Sequence, residues 1–194
     1  MIQGADQSEP TLGEINHLAD LPSFGAAGGS VSVAESFTGG WLALRLVEIP
    51  GSGDWFKGGV VAYTDEVKRR LLDVDDGPVI SREAAMQMAR AVRELIRTDI
   101  GVATTGVAGP DTQEGRSVGT VYVGVSSPAG TEAFLLELHG CPTEIRRSAV
   151  EHAFERLCRA RGEIRRANGA SADQEGRGGL RLGLASAEGP EDQL

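Results

Sequence analysis

A serine hydroxyl lies where a predicted strand passes into a predicted helix. Residues 31–35 suit a short strand, Ser36 follows, and Gly39 and Gly40 precede an apolar helical pattern. Open α/β sheets bind ligands at the carboxyl ends of strands, and a helix N-terminus offers free N–H groups to an oxyanion. Ser36 is therefore a candidate nucleophile. The alternative, favoured on this motif alone, is a helix cap at Ser36 or Thr38 with glycines that only fit the turn.

A tyrosine and a lysine follow the next predicted strand. Tyr63 ends that strand, and Lys68 comes five residues later, near the start of a predicted helix. Both side chains should reach one crevice, where the helix N-terminus and desolvation favour an uncharged amine that can serve a serine as base. The alternative is a solvated Lys-Arg-Arg face beside a half-buried tyrosine. Only Lys57 and Lys68 among nineteen basic residues are lysine, which slightly favours a role for a titratable amine.

A glycine-rich segment at residues 104–110 ends a third predicted strand. The spacing from Gly109 to Gly115 is wrong for a P-loop, Arg116 replaces the lysine, and a strand follows instead of a helix, so a P-loop nucleotide hydrolase is excluded. Backbone groups of this turn are candidates for substrate binding. An ordinary tight connection is the commoner explanation.

Strands and helices must position these groups, and they alternate along the chain. We predict strands at residues 31–35, 60–63, 100–105, 118–126 and 131–138, the last two joined as a hairpin. Helices are predicted at 65–72, from the Ser81 N-cap to about residue 98, and through Ile145, Ala149, Ala153 and Leu157. A further, buried helix is predicted for Trp41, Leu42, Leu44, Leu46 and Val47, and the inward stripe of the Ser81 helix for Ala85, Met88, Val92 and Leu95/Ile96. This order predicts a single α/β domain with three α/β/α layers and a mixed, partly parallel sheet.

Composition divides the chain into three parts. Residues 1–30 are polar and rich in small residues, and they are expected to form a loosely ordered leader with one short candidate helix at 11–20. The domain is expected at 31–161. Residues 162–194 contain almost no large apolar residue, so a disordered tail is expected.

The bulk properties exclude several classes of function. A formal net charge of -9 disfavours direct nucleic-acid or membrane-surface binding. Two cysteines and three histidines lack the spacing of a zinc site or a disulfide framework, so no metal is expected. No signal peptide or membrane-spanning run is recognised, and the default compartment is the cytoplasm.

In this order, the segments resemble the C-terminal domain of the CinA family, whose stand-alone members include nicotinamide mononucleotide (NMN) deamidases. The resemblance covers about residues 31–160. It rests on A-E-S-x-T-G-G at 34–40, P-G-S at 50–52, G-G-V-V-A-Y at 58–63, Lys68 with Leu71-Leu72, T-G-V-A-G-P at 105–110 and V-G-T-V at 118–121. Each piece is weak alone, but the ordered set is specific.

The resemblance implies an amidohydrolase that converts NMN and water to nicotinate mononucleotide and ammonia in pyridine nucleotide salvage, with no metal or cofactor. Ser36 would be the nucleophile, Lys68 its general base and Tyr63 the residue that orients or relays the proton. The substrate-binding positions would be Phe37, Thr38, Gly39 and Gly40 around an oxyanion hole, and Thr105, Gly106, Ala108 and Gly109 in the nucleotide pocket.

Arg146 would neutralise the 5′-phosphate, with a surface helix arginine as an equal alternative. A homo-oligomer is also expected.

Four departures from the family pattern bear on the substrate. Phe37 stands in place of a cysteine, Asp65 in place of an asparagine, residues 111–113 in place of a glycine cluster, and Pro142 near the position of a basic residue. An amidase for another carboxamide, or a non-catalytic interaction protein associated with competence and DNA damage, therefore remain alternatives.

Overall fold

The computed structural model describes residues 28–178, with side chains described to residue 168. This part of the chain contains five strands, four α-helices and a 3-10 turn. In chain order they are β1 (Val31–Glu35), α1 (Trp41–Val47), the 3-10 turn (Ser52–Asp54), β2 (Phe56–Val61), α2 (Asp65–Leu72), α3 (Arg82–Ile96), β3 (Ile100–Gly106), β4 (Thr120–Ser127), β5 (Gly130–Glu137) and α4 (Pro142–Gly178). The strands and helices predicted within residues 28–178 are present, although β2 begins at Phe56 instead of residue 60 and α4 extends to Gly178.

The five strands form one mixed sheet in the order β2-β1-β3-β4-β5. Strand β1 pairs in parallel with β2 and β3, whereas β4 and β5 run antiparallel. Glu35, at the end of β1, lies between Val61 of β2 and Thr104 of β3. The carboxyl ends of β1, β2 and β3 therefore meet at one edge of the sheet, which brings the three sequence motifs together.

Helices cover both faces of the sheet and make three layers. Helices α1 and α4 share a core cluster with one face, and α2 and α3 share a second cluster with the other. The α/β/α prediction is confirmed. Helix α3 begins as predicted, because the Ser81 hydroxyl accepts the Ala84 N–H at 3.0 Å. Its predicted inward stripe is buried as far as Val92, whereas Leu95 is half exposed where the helix leaves the sheet.

The prediction that α1 is buried on all its apolar positions is wrong. Leu42 and Leu46 are fully buried, whereas Trp41, Leu44 and Val47 are 38% to 53% exposed. The physical reason is that this short helix lies on the sheet with a single face, so positions one turn apart are covered while the opposite face remains open.

The closing helix passes through the boundary predicted at residue 161. Helix α4 continues to Gly178, so residues 162–178 are helical where a disordered tail was predicted. Arg161 anchors this part, since it is buried, lies 4.6 Å from the centre of the Trp55 ring and donates to the Gly29 carbonyl at 2.5 Å. Ile164 packs against the adjoining core cluster. The predicted leader, apart from residues 28–30, and residues 179–194 lie outside the described residues.

The described helices include none with the length and apolar character needed to cross a bilayer.

Candidate active site

A buried carboxylate forms the base of the Ser36 motif. Glu35 is completely buried, and its two oxygens accept four hydrogen bonds. The donors are the Thr38 hydroxyl at 2.6 Å and the N–H groups of Gly40, Leu42 and Ala43 at 3.0, 2.9 and 2.8 Å. Glu35 therefore occupies the anion-binding position at the N-terminus of α1, and the N–H groups it holds there are not available to a substrate.

Ser36 itself is held by the backbone and has a free hydroxyl. Its N–H donates to the Thr104 carbonyl at 2.9 Å, which continues the β1–β3 pairing by one residue. Within residues 28–178 the Ser36 hydroxyl makes no hydrogen bond, so the prediction that Ser36 is a helix cap has no support in these contacts. Because side chains alternate along a strand, Ser36 lies on the same face as Ala34, which is the face covered by α2 and α3.

The turn after Ser36 leaves two backbone donors open. In the described part of the chain, the N–H groups of Thr38 and Gly39 have no partner, whereas that of Phe37 makes a long contact of 3.4 Å with the Thr104 carbonyl. Gly39 and Gly40 have φ values of 60° and 102°, a left-handed conformation that glycine adopts without strain. Among the N–H groups predicted as oxyanion donors, those of Thr38 and Gly39 are thus the ones without a partner in the described residues, and Gly39 lies at the exposed surface.

Lys68 is the buried amine of this region. It is only 3% exposed, and its Nζ donates to Asp65 Oδ1 at 3.2 Å in an ion pair across one turn of α2. Lys68 therefore does not lie on a solvated Lys-Arg-Arg face, which is the alternative to a chemical role for this residue. No hydrogen bond connects Lys68 with Ser36 in the described residues.

Tyr63 lies two residues beyond the end of β2 instead of ending the strand as predicted. Its backbone is close to Ser36, because the Ala62 N–H donates to the Glu35 carbonyl at 2.8 Å. Its side chain is nevertheless 71% exposed and makes no hydrogen bond with another described residue. The structure brings the backbone of Tyr63 to the site but leaves the phenol in solvent.

At two of the predicted substrate-binding positions, Phe37 and Thr38, the side chains have structural partners. Phe37 is 4% exposed and packs in a core cluster with Val121, Ile145 and Ala149. Thr38 is fully buried between Glu35 and the Thr104 hydroxyl, at 2.7 Å from the latter, so only its N–H faces the site. Both side chains close the space between α1, α4 and the sheet. The substrate-binding role of these two positions rests on their backbone groups and stays a prediction.

In the glycine-rich segment at residues 104–110, Thr105 and Gly106 also have structural roles. The Thr105 hydroxyl donates to the Val79 carbonyl at 2.7 Å and is fully buried, so it is not free for a nucleotide. A Cβ on Gly106 would lie 2.7 Å from the Thr120 carbonyl oxygen, which explains that glycine by close packing between β3 and β4. Ala108 is half-buried and Gly109 is exposed with φ 83°, so these two positions remain available at the surface of the site.

Arg146 lies on α4 and stacks on the first residue of α1. Its guanidinium is 5.2 Å from the centre of the ring of Trp41, the first residue of α1, and among the described residues it has no carboxylate partner. A half-buried guanidinium without a counter-ion, fixed by stacking, is suited to bind an anion. The phosphate-binding role that the resemblance implies for Arg146 stays a prediction.

Two residues of the site were not found from the sequence. The sequence pattern places Glu35 only in the strand predicted at residues 31–35, although an acidic residue in an otherwise apolar strand end signals a buried partner. Glu114 accepts the N–H groups of Val79 and Ile80 at 3.0 and 2.8 Å and so ties the loop after β3 to the approach of α3. No signal in the sequence indicated this long-range contact.

Within the described residues there is no group of three or more histidine, cysteine or acidic side chains arranged to hold a metal ion.

The whole domain matches one known family. The family model for the CinA C-terminal domain matches residues 22–160. The chain belongs to the CinA C-terminal domain family.

Relatives of known sequence and structure agree with this assignment. A CinA-like protein of Frankia casuarinae is 43% identical over 131 residues, which is 65% of this chain and 30% of that protein. A putative competence-damage inducible protein of Desulforamulus reducens is 48% identical over 109 residues, 54% of this chain and 26% of that protein. This CinA-family chain therefore spans about a third or less of the length of these relatives.

The competence/damage inducible protein CihA of Agrobacterium tumefaciens gives a TM-score of 0.65 at 35% identity. That match covers 69% of this chain and 86% of the solved one. The CinA C-terminal fold is thus present here as a nearly complete unit.

Proposed function

We propose that this CinA-family chain is a metal-independent amidohydrolase that converts NMN and water to nicotinate mononucleotide and ammonia. Ser36 is the nucleophile, Lys68 the general base and Tyr63 the residue that passes the proton between them. Two observations carry the proposal. Ser36, at the end of β1, has a hydroxyl with no hydrogen-bond partner among the described residues, and the helix that follows the neighbouring strand β2 contains a buried lysine amine.

The reaction has two balanced halves. Ser36 Oγ attacks the carboxamide carbon while its proton passes to Lys68, and the N–H groups of Thr38 and Gly39 stabilise the oxyanion. Collapse of the tetrahedral intermediate breaks the C–N bond, and ammonia leaves with the proton from Lys68. Water then attacks the ester of Ser36 by the same route, releasing the carboxylate and restoring the hydroxyl.

In this mechanism the ion pair between Lys68 and Asp65 belongs to the enzyme before substrate binds. An ammonium paired with a carboxylate does not accept a proton, so Lys68 must lose its proton before it serves Ser36. Catalytic hydrogen bonds are often absent from the free enzyme and form only with substrate bound, so the missing Ser36–Lys68 hydrogen bond is compatible with this sequence of events.

Arg146 supports a phosphorylated substrate. The guanidinium that stacks on Trp41 has no counter-ion among the described residues and lies at the start of α1, the helix that follows the Ser36 turn. In this mechanism it binds the 5′-phosphate of NMN. An arginine-phosphate contact of this kind contributes to binding more than to the chemical step.

Ammonia release from NMN by the purified chain tests the proposal. Ser36→Ala should abolish release, whereas Ser52→Ala, which removes a hydroxyl bonded to the Val47 carbonyl outside the site, should leave it unchanged. Arg146→Ala should raise the KM for NMN at least ~10-fold without changing that for the unphosphorylated riboside, and Arg147→Ala is its neighbouring control.

A second candidate function is hydrolysis of a different carboxamide. It is favoured by Asp111, a carboxylate in the loop that follows β3 at the same sheet edge, because negative charge there opposes a phosphate. Ammonia release from other carboxamides but not from NMN would select it. Release from none of them, by a folded protein, would refute the enzymatic proposal and favour an interaction role.

A further inference from the structure

The loop between β3 and β4 is held to the rest of the protein by one side chain. This β3–β4 loop comprises residues 107–119, and residues 109–117 are all exposed. Among the described residues, the only hydrogen bonds that join residues 109–117 to the chain outside the loop are the two that Glu114 accepts. The ion pairs of the described residues do not include this loop. The position of the exposed loop therefore depends on a single carboxylate.

Glu114 accepts two neighbouring backbone N–H groups, one with each oxygen. Oε1 accepts the Val79 N–H at 3.0 Å and Oε2 accepts the Ile80 N–H at 2.8 Å. Both donors belong to the α2–α3 connector, residues 73–81. Hydrogen bonds to an ionised acceptor are about twice as strong as those between neutral groups. Val79 and Ile80 are almost completely buried, and a buried N–H that loses its acceptor is costly, so this contact is a strong one.

The connector is itself well anchored. Arg69 on α2 donates to the Asp76 carboxylate at 3.2 Å and to the Gly77 carbonyl at 2.9 Å. On the other side, the Thr105 hydroxyl of β3 donates to the Val79 carbonyl at 2.7 Å. The connector is thus attached both to helix α2 and to strand β3. Through its carboxylate, the exposed loop is fixed to a part of the molecule that does not depend on the loop for its own position.

The backbone at Glu114 indicates that the side chain is the reason for a glutamate at this position. Glu114 and Gly115 have φ values of 51° and 70°, and Gln113 and Arg116 on either side exchange backbone hydrogen bonds of 3.2 and 2.8 Å. This is a two-residue hairpin turn with both central residues left-handed, where asparagine and glycine are favoured. Glycine would adopt this conformation with less strain than glutamate. The turn alone does not account for Glu114, whereas its two N–H donors do.

The loop lies on the side of the sheet that carries the proposed nucleophile. The connector belongs to the core cluster beneath α2 and α3, the face on which Ser36 lies, and Val107 at the start of the loop belongs to the same cluster. The loop leaves the sheet at the carboxyl end of β3, where the Thr104 carbonyl accepts the Ser36 N–H at 2.9 Å. Its next residues are Ala108 and Gly109, two of the positions predicted to bind substrate.

We propose that Glu114 is a positioning residue of this amidohydrolase: its carboxylate fixes the β3–β4 loop on the α2–α3 connector and so holds Ala108 and Gly109 at the substrate crevice. The carboxylate acts through the loop and takes no part in the chemical step. Without it the loop leaves the connector, water reaches the two connector N–H groups, and substrate must order the loop again when it binds. The kinetic consequence rests on the proposed function, whereas the contact itself does not.

Amide hydrogen exchange of the full chain tests the contact without substrate. Glu114→Gln should speed the exchange of the Val79 and Ile80 amides at least ~10-fold, because a glutamine oxygen accepts one N–H while its NH₂ faces the other. Exchange in β4 and β5 should remain as in the parent. Glu83→Gln is the charge-matched control, since Glu83 is an exposed acid in the first turn of α3, and it should leave both amides slow. Unchanged exchange in Glu114→Gln, or faster exchange throughout β4 and β5, would overturn the proposal.

Glu114→Gly separates the carboxylate from the turn. Glycine suits a φ of 51° better than glutamate, so a role confined to the turn predicts slower or unchanged exchange of the two connector amides. Loss of the carboxylate predicts the same acceleration as in Glu114→Gln, and equal exchange in Glu114→Gly and the parent would count against the proposal.

Ammonia release from NMN tests the positioning role. Both Glu114 variants should raise the KM ~10-fold and leave kcat within ~2-fold of the parent, because substrate binding has to order the loop while Ser36 and Lys68 are unchanged. An unchanged KM, or a fall confined to kcat, would overturn this role. A parent that releases no ammonia refutes the proposed function and with it the kinetic role, whereas the exchange result still decides whether Glu114 fixes the loop.

Discussion

Replacement of Glu35 by glutamine tests whether one carboxylate holds the nucleophile turn. Oε2 accepts three of the four hydrogen bonds and Oε1 accepts the fourth, from Ala43 N–H at 2.8 Å. In Glu35→Gln the amide oxygen can keep the three hydrogen bonds that Oε2 accepts. The amide NH₂ then faces the Ala43 N–H, and two donors cannot form a hydrogen bond with each other. Losing one bond to a charged acceptor costs about 1.5–3 kcal/mol, and losing the negative charge at the helix N-terminus adds up to about 2 kcal/mol.

The expected loss for Glu35→Gln is therefore about 2–5 kcal/mol, a large share of the roughly 5–15 kcal/mol that stabilises a domain. Chemical denaturation of the parent and the variant measures this loss, because the midpoint and slope of the transition give the free energy of unfolding. Glu83→Gln is the control, since Glu83 is an exposed acid in the first turn of α3, where about 0.3–1 kcal/mol is expected. Equal losses in the two variants would refute the assignment of Glu35 as the main support of α1.

Two further predictions concern charge at the site and thiol chemistry. Asp65→Asn removes the ion pair with Lys68, which is worth about 1 kcal/mol or less because Asp65 is half exposed, so ammonia release at neutral pH should rise by up to ~5-fold. Glu66→Gln is the control, because it loses only the pair with Arg70 and should leave ammonia release unchanged. Superimposable pH-rate profiles for Asp65→Asn and the parent would contradict this prediction. Burial raises the pKa of the Cys158 thiol to about 11, so at pH 8 iodoacetamide should label it at least ~100-fold more slowly than the exposed Cys141, with the difference narrowing as pH rises towards 11, as followed by peptide mass spectrometry.

Local patterns were sufficient for the fold. The Ser81 cap and the apolar stripe through Val92 place α3, and the glycine pair after Ser36 marks the strand-to-helix turn, because each signal depends on residues close in sequence. The prediction that α1 is buried on all its apolar positions failed for a physical reason. A run of apolar residues shows that a helix has apolar faces, but it does not show how many of those faces the sheet covers.

Side-chain destinations at the site were harder to predict. Phe37 and Thr105 belong to motifs that do reach the site edge, yet their side chains are held by Ile145 and by the Val79 carbonyl, which are distant in sequence. A motif specifies where the backbone turns. Which of its side chains faces the opening depends on long-range packing that one sequence does not display.

The four departures from the family pattern differ in whether they contact a proposed catalytic residue. Phe37 replaces a cysteine but packs in the core, so its bulk is absorbed between the sheet and α4 and does not enter the crevice. Pro142 begins α4, whose Arg146 keeps its stacked position over Trp41. Asp111 lies in an exposed loop. Asp65 alone contacts a proposed catalytic group, at 3.2 Å from Lys68 Nζ, and the departure with the greatest consequence for turnover is therefore this single carboxylate.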